Sequence, residues 1–115
     1  MNDIHSITLN ENELLFALVL FGIEDETKYE DYQLTIDDTS KERIQDGGEL
    51  LKKRDLVKIT NSVPVLDDKL MALVGATVVG EKEGNEYVEE ETGLHVWFVK
   101  EEGMYLFRGY VKGDE

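Results

Sequence analysis

Cysteine is absent from this chain of 115 residues, so neither a disulfide nor a thiolate metal site is available and packing alone must hold the fold. That absence fits a reducing compartment. Histidine occurs only at His5 and His95, and a zinc site built on them would have to recruit carboxylates across the fold with no short ligand spacing. Basic residues are scarce: twelve Lys and Arg stand against twenty-six Asp and Glu, for a net charge of −14. A field of that sign repels phosphate and argues against a nucleic-acid binder. Long apolar runs are missing too. The longest covers 14–21, whereas a membrane span needs about 20 residues. The first five residues contain no Lys or Arg, so no secretory leader is expected. A cytoplasmic, soluble protein with no cofactor is the expectation.

Recognisable catalytic patterns are also lacking. There is no nucleophile elbow, P-loop or dinucleotide fingerprint. Asp37-Asp38 has no third oxygen ligand at the required offsets and no glycine at the sixth position, so it is not an EF-hand. Glu89 and Glu91 share a strand face and have the form of an acid/base pair, but solvated carboxylates that protect a sheet edge are the default reading. No acid, base and binding group can be assembled, and no enzymatic activity is expected.

What is present is enough apolar sequence, 41%, to bury one core. Length sets the expectation of a single domain over 1–115. Thr8-Leu9-Asn10-Glu11 has capping-box spacing with Ile7 as a staple, which predicts a helix to about Phe21, stopped at Gly22. That helix is apolar on every face, which suits a core helix or one sharing its outer face with another chain. An acidic connector over 24–38 is punctuated by Tyr29, Tyr32, Leu34 and Ile36. It should pack through its tyrosines, with a short extended segment at its end.

A second helix is predicted after Thr39 or Ser40. Gly47-Gly48 costs it on the order of 2 kcal/mol relative to alanine, so it should bend or divide there. Lys52-Lys53-Arg54 closes it. A strand over 56–60, a turn at Asn61-Ser62 and a helix over 63–74, ended by Gly75, follow. From Thr77 the period changes to two. Strands over 77–83 and 86–91 flank Gly84-Asn85, and strands over 94–99 and 104–111 flank a four-residue loop, 100–103. The fold class is therefore α+β, with two to three helices in the first two-thirds packed on a C-terminal four-stranded antiparallel meander.

The last hairpin separates two faces. Leu94, Val96, Phe98, Tyr105, Phe107 and Val111 form the more continuously apolar one, assigned to the core. With the four-residue loop, Val99 pairs with Met104, Trp97 with Leu106 and His95 with Arg108. The other face carries His95, Trp97, Val99, Met104, Leu106, Arg108 and Tyr110. It is too apolar for an idle sheet face, so it is either covered by the chain's own helices or used by a partner.

The run Ile7-Thr8-Leu9-Asn10-Glu11-Asn12-Glu13-Leu14-Leu15 resembles the strand, L-T-x-x-E-L and helix opening of EspG-like proteins, the cytosolic specificity chaperones of type VII secretion. Leu50-Leu51-Lys52-Lys53-Arg54-Asp55-Leu56-Val57 is similar to that family's L-x-x-R-G-L-V segment, with Asp55 in place of the glycine. The resemblance spans most of this chain but only the first half of the family's length. It implies an enzymatically silent accessory, from a Gram-positive bacterium, that binds one secreted protein through sheet and helix surfaces.

The leading expectation is thus a protein-binding adaptor or chaperone. Contact is expected through His95, Trp97, Val99, Leu106, Arg108 and Tyr110, with Glu89–Glu91 and Glu101–Glu102 steering a basic partner. The alternative is an acidic immunity protein or antitoxin that neutralises a basic toxin. A third reading, a winged-helix-like regulator built on residues 39–75 with Lys52, Lys53, Arg54 and Lys58, runs against the net charge. A homodimer is compatible with each.

Overall fold

Strand β1, Ile4–Asn10, precedes helix α1, Glu11–Leu20, in a computed structural model that describes residues 4–111. Then come α2, Glu26–Glu30; α3, Ser40–Lys53; β2, Val57–Thr60; β3, Val63–Leu66; and α4, Asp68–Val79. Strands β4, Glu81–Glu83; β5, Glu86–Glu89; β6, Leu94–Glu101; and β7, Met104–Val111 complete the order. The architecture is α+β, and β4 to β7 form the antiparallel meander. Two compact units are distinguishable: Leu9–Asp67, and the chain on either side of it, 1–8 and 68–115.

In the first unit α1 packs on α3. The helix cap is not where Thr8 and Glu11 would put it. Asn10 is the N-cap: its side chain accepts from the Glu13 amide at 2.8 Å, and Glu13 Oε1 accepts from the Asn10 amide at 2.9 Å. The residues ahead of Asn10 are therefore free to extend as β1, with Ile7 and Leu9 buried and Ser6 and Thr8 exposed between them. Glu13 is itself buried. Its carboxylate holds Arg54 Nη1 at 2.9 and 3.0 Å, which fixes the first turn of α1 to the end of α3.

Helix α3 is continuous across Gly47-Gly48 and does not divide there. A Cβ on Gly47 would stand 1.9 Å from the Asn12 carbonyl oxygen. The helix accepts the propensity cost because only glycine lets α1 come this close. Asn12 and Asp46 bond across the contact at 2.9 Å.

The acidic connector forms the short helix α2 and no strand. It packs through buried Tyr29, Tyr32 and Leu34, and the Tyr29 hydroxyl donates to the Ile23 carbonyl at 2.7 Å.

Residues 63–66 are a strand and not the start of a helix. Asn61 and Ser62 both take left-handed φ, 52° and 67°, which closes a two-residue hairpin with Thr60 opposite Val63. Pro64 is tolerated because the sheet has only two strands.

In the second unit α4 packs on β5, β6 and β7. It does not stop at Gly75. It runs through buried Ala76 and Thr77, whose hydroxyl donates to the Val74 carbonyl at 2.7 Å, so the β-branched run Thr77-Val78-Val79 is helical and no strand occupies 77–80. Leu70, Leu73 and Val74 lie against a sheet face holding Leu94, Val96 and Phe107, all buried. Each such side chain removed from water is worth about 1.5–3 kcal/mol. The sheet has five strands in the order β1-β7-β6-β5-β4, so the meander carries an additional strand from the other end of the chain.

Candidate functional site

Antiparallel pairing of β6 with β7 sends alternate side chains to opposite faces. The hairpin is tighter than its sequence predicts. Glu101 pairs with Met104 across a two-residue turn, Glu102-Gly103, in which both residues have positive φ, so Lys100 and Glu101 join the ladder. His95 then faces Tyr110, Trp97 faces Arg108 and Val99 faces Leu106. Each pairing moves by two residues from expectation. An even shift leaves every side chain on its assigned face. Leu94, Val96, Tyr105 and Phe107 are buried, as expected of the core face, but Val111 at its end is 42% exposed.

The opposite face brings His95, Trp97, Val99, Leu106, Arg108 and Tyr110 together as one surface, with Met104 beside them. Its two ends differ. At the open end of the hairpin the His95 and Tyr110 rings stack with centroids 5.0 Å apart, and Trp97 meets Tyr110 edge-on at 6.0 Å. The Arg108 guanidinium lies 5.7 Å over the Trp97 ring. At the turn end Val99 is 51% exposed, Met104 41% and Leu106 38%. An ordered aromatic-cationic patch thus borders bare aliphatic surface.

Sequence reasoning missed Glu86 on β5. Its carboxylate lies 3.2 Å from His95 Nδ1 and accepts from the Tyr110 hydroxyl at 3.2 and 3.4 Å. Removal from water, then the charge of Glu86 and its hydrogen bond, raise the Tyr110 phenol above its ordinary value. Tyr110 therefore stays a neutral donor. The only sequence signal for Glu86 was its register: Val88 pairs with His95, which places residue 86 on the same face.

The anticipated acidic rim is divided. Glu101 and Glu102 are exposed at the hairpin turn, and Glu90 and Glu91 are exposed beyond β5. Glu89 instead organises its own turn, accepting from the Thr92 hydroxyl at 2.6 Å and from the Thr92 and Glu91 amides at 2.9 and 3.0 Å. Those bonds, the Thr92 hydroxyl first, hold its carboxyl below the usual carboxylate range. Strand β5 ends there, short of the expected residue 91.

A groove of about 460 Å³ lies along α4, where Met71, Ala72, Ala76, Leu94 and Val111 give it an apolar lining. Among the described residues no group of His, Asp and Glu is placed to hold a metal ion, and no helix is long and apolar enough to cross a membrane. No protein-family model, curated protein or solved structure matches the chain.

Proposed function

We propose that this chain is a non-enzymatic, protein-binding accessory of the cytoplasm, and that its partner docks on the His95/Trp97/Leu106/Arg108 face. One observation carries the reading: a sheet face on which Trp97 meets both Tyr110 and Arg108, continuous with exposed Val99, Met104 and Leu106, inside a strongly acidic molecule. Trp, Tyr and Arg are the residues that dominate binding energy at protein interfaces. An idle antiparallel face would be more polar. The net charge favours a basic partner and speeds its encounter. The EspG-like resemblance gives the role its specific form, an adaptor or chaperone for a type VII secretion substrate.

The test replaces Trp97 and Leu106 together by alanine and compares capture of partner from the native extract with that by the unaltered protein. A benzophenone side chain at residue 106 identifies what is captured. Loss of capture with unchanged circular dichroism is the expected result. Equal capture by the folded double variant removes the reading.

The charge of −14 specifically favours a second reading, an acidic immunity protein that covers a basic toxin. Its mark is a crosslinked partner that is a cationic toxin, with affinity falling steeply as salt rises.

A further inference from the structure

We infer that β1 is a docking edge, to which an extended segment of a cationic polypeptide adds as a sixth strand. This rests on the protein-binding reading above and states how the partner's backbone is held. The sheet ends in two unlike edges. At one, β4 is three residues long, and Glu81, Lys82 and Glu83 are all charged and exposed. Short, charged strands are how natural sheets refuse further pairing. At the other, β1 is seven residues long and carries no proline and no Lys, Arg, Asp or Glu. His5, Ser6 and Thr8 are exposed along it, so nothing bulky lies over these side chains. Among the described residues, no turn or loop backbone group bonds to residues 4–9. As the last strand in the sheet order, β1 has an amide and carbonyl row on the side away from β7 that no strand of the described sheet pairs, about 17 Å long over residues 4–8.

Charge selects the occupant. A second copy of this chain would bring another −14 to the edge, whereas a cationic segment is drawn to it. Position supports the same choice. β1 adjoins β7, the strand that carries Leu106, Arg108 and Tyr110, so an added strand widens the same face. Main-chain bonds supply affinity in such strand addition, and alternate side chains supply the selectivity.

The experiment uses the full chain and a synthetic peptide of alternating lysine and valine, matched in length to β1. Amide hydrogen exchange is read residue by residue by NMR. The expected result is exchange slowed roughly tenfold or more at alternate amides of β1, with β4 unchanged. The same peptide with alternate amides N-methylated keeps its charge but cannot pair, and should leave β1 unprotected. Failure of the first peptide to bind, binding without β1 protection, or equal protection by both peptides overturns the inference. Protection that appears without peptide and grows with protein concentration assigns the edge to a second copy and also overturns it. The readout lies on β1, so it is independent of the Trp97 and Leu106 capture assay. Either result can fail while the other stands.

Discussion

Gly47 and Gly48 are neighbours in the same helix, yet a methyl group at each meets a different obstacle. At Gly47 it strikes the backbone of Asn12, with the carbonyl oxygen at 1.9 Å. At Gly48 it meets the ring of Phe16 at 2.7 Å, and a ring can turn. Alanine gains about 1 kcal/mol of helix propensity at either position. Gly47→Ala should nevertheless lose more than about 2 kcal/mol, because α1 must move away, while Gly48→Ala should stay within about 1 kcal/mol of the parent. Urea midpoints of the two variants check this, and equal midpoints would contradict the close-contact account. Leu106 makes the opposite case. It is exposed on the sheet, so Leu106→Ser should change stability by less than about 0.5 kcal/mol while weakening partner capture.

At the scale of elements, the helix entries depend on carboxylates. Asp37 accepts from the Thr39 hydroxyl at 2.6 Å and the Thr39 amide at 2.9 Å ahead of α3, and these bonds, the hydroxyl first, hold its carboxyl below the usual range. A depressed folded-state value means that the stabilisation is present above the unfolded value and is lost as pH falls through the folded one. Asp37→Asn keeps an oxygen acceptor but removes the charge. The variant should therefore be less stable than the parent at neutral pH, and the gap should close in acid. Urea midpoints across the acid range measure this, and a gap independent of pH would contradict it. Arg54→Met is a harsher change. It leaves the buried Glu13 carboxylate with its cap bond from the Asn10 amide in place of the Arg54 pair and should cost about 1–3 kcal/mol in the same assay.

The elements differ in how far their own residues declare them. The last hairpin was legible because period-two alternation and an apolar face survive an even slip of register. The connector's packing was legible in its tyrosines. Strand β1 was not read from its own residues, because Thr8 and Glu11 imitate the cap that Asn10 and Glu13 make three residues apart in the same way. The cap that forms also places Glu13 on Arg54, a partner distant in sequence. The continuity of α3 depends on a neighbour: only the nearness of Asn12 turns two glycines from a break into a contact. At residues 63–66 Pro64 and Asp67-Asp68 suit a helix start, but the positive φ of Asn61 and Ser62 decides for a hairpin. On the candidate site the six residues named from sequence share one face. Glu86 escaped notice because a strand partner's identity is a matter of register.

For the molecule as a whole, −14 is a standing self-repulsion. Screening should relieve it, so the melting temperature should rise with sodium chloride towards about 1 M, where the Debye length is only about 3 Å. Partner association should move the other way and weaken over the same range. Thermal melts and binding isotherms in one salt series test both, and a melting temperature that falls with salt would count against net repulsion as the dominant field.

The neighbouring of β1 and β7 has a kinetic corollary. The first strand described cannot complete its ladder until the last has been made, so a nascent chain on the ribosome carries β1 without that partner until β7 has been synthesised. Closing so long a loop is slow. During that wait the uncharged strand is exposed to any other extended polypeptide within reach, which makes prompt completion of the C-terminal hairpin the step that guards this protein against premature pairing.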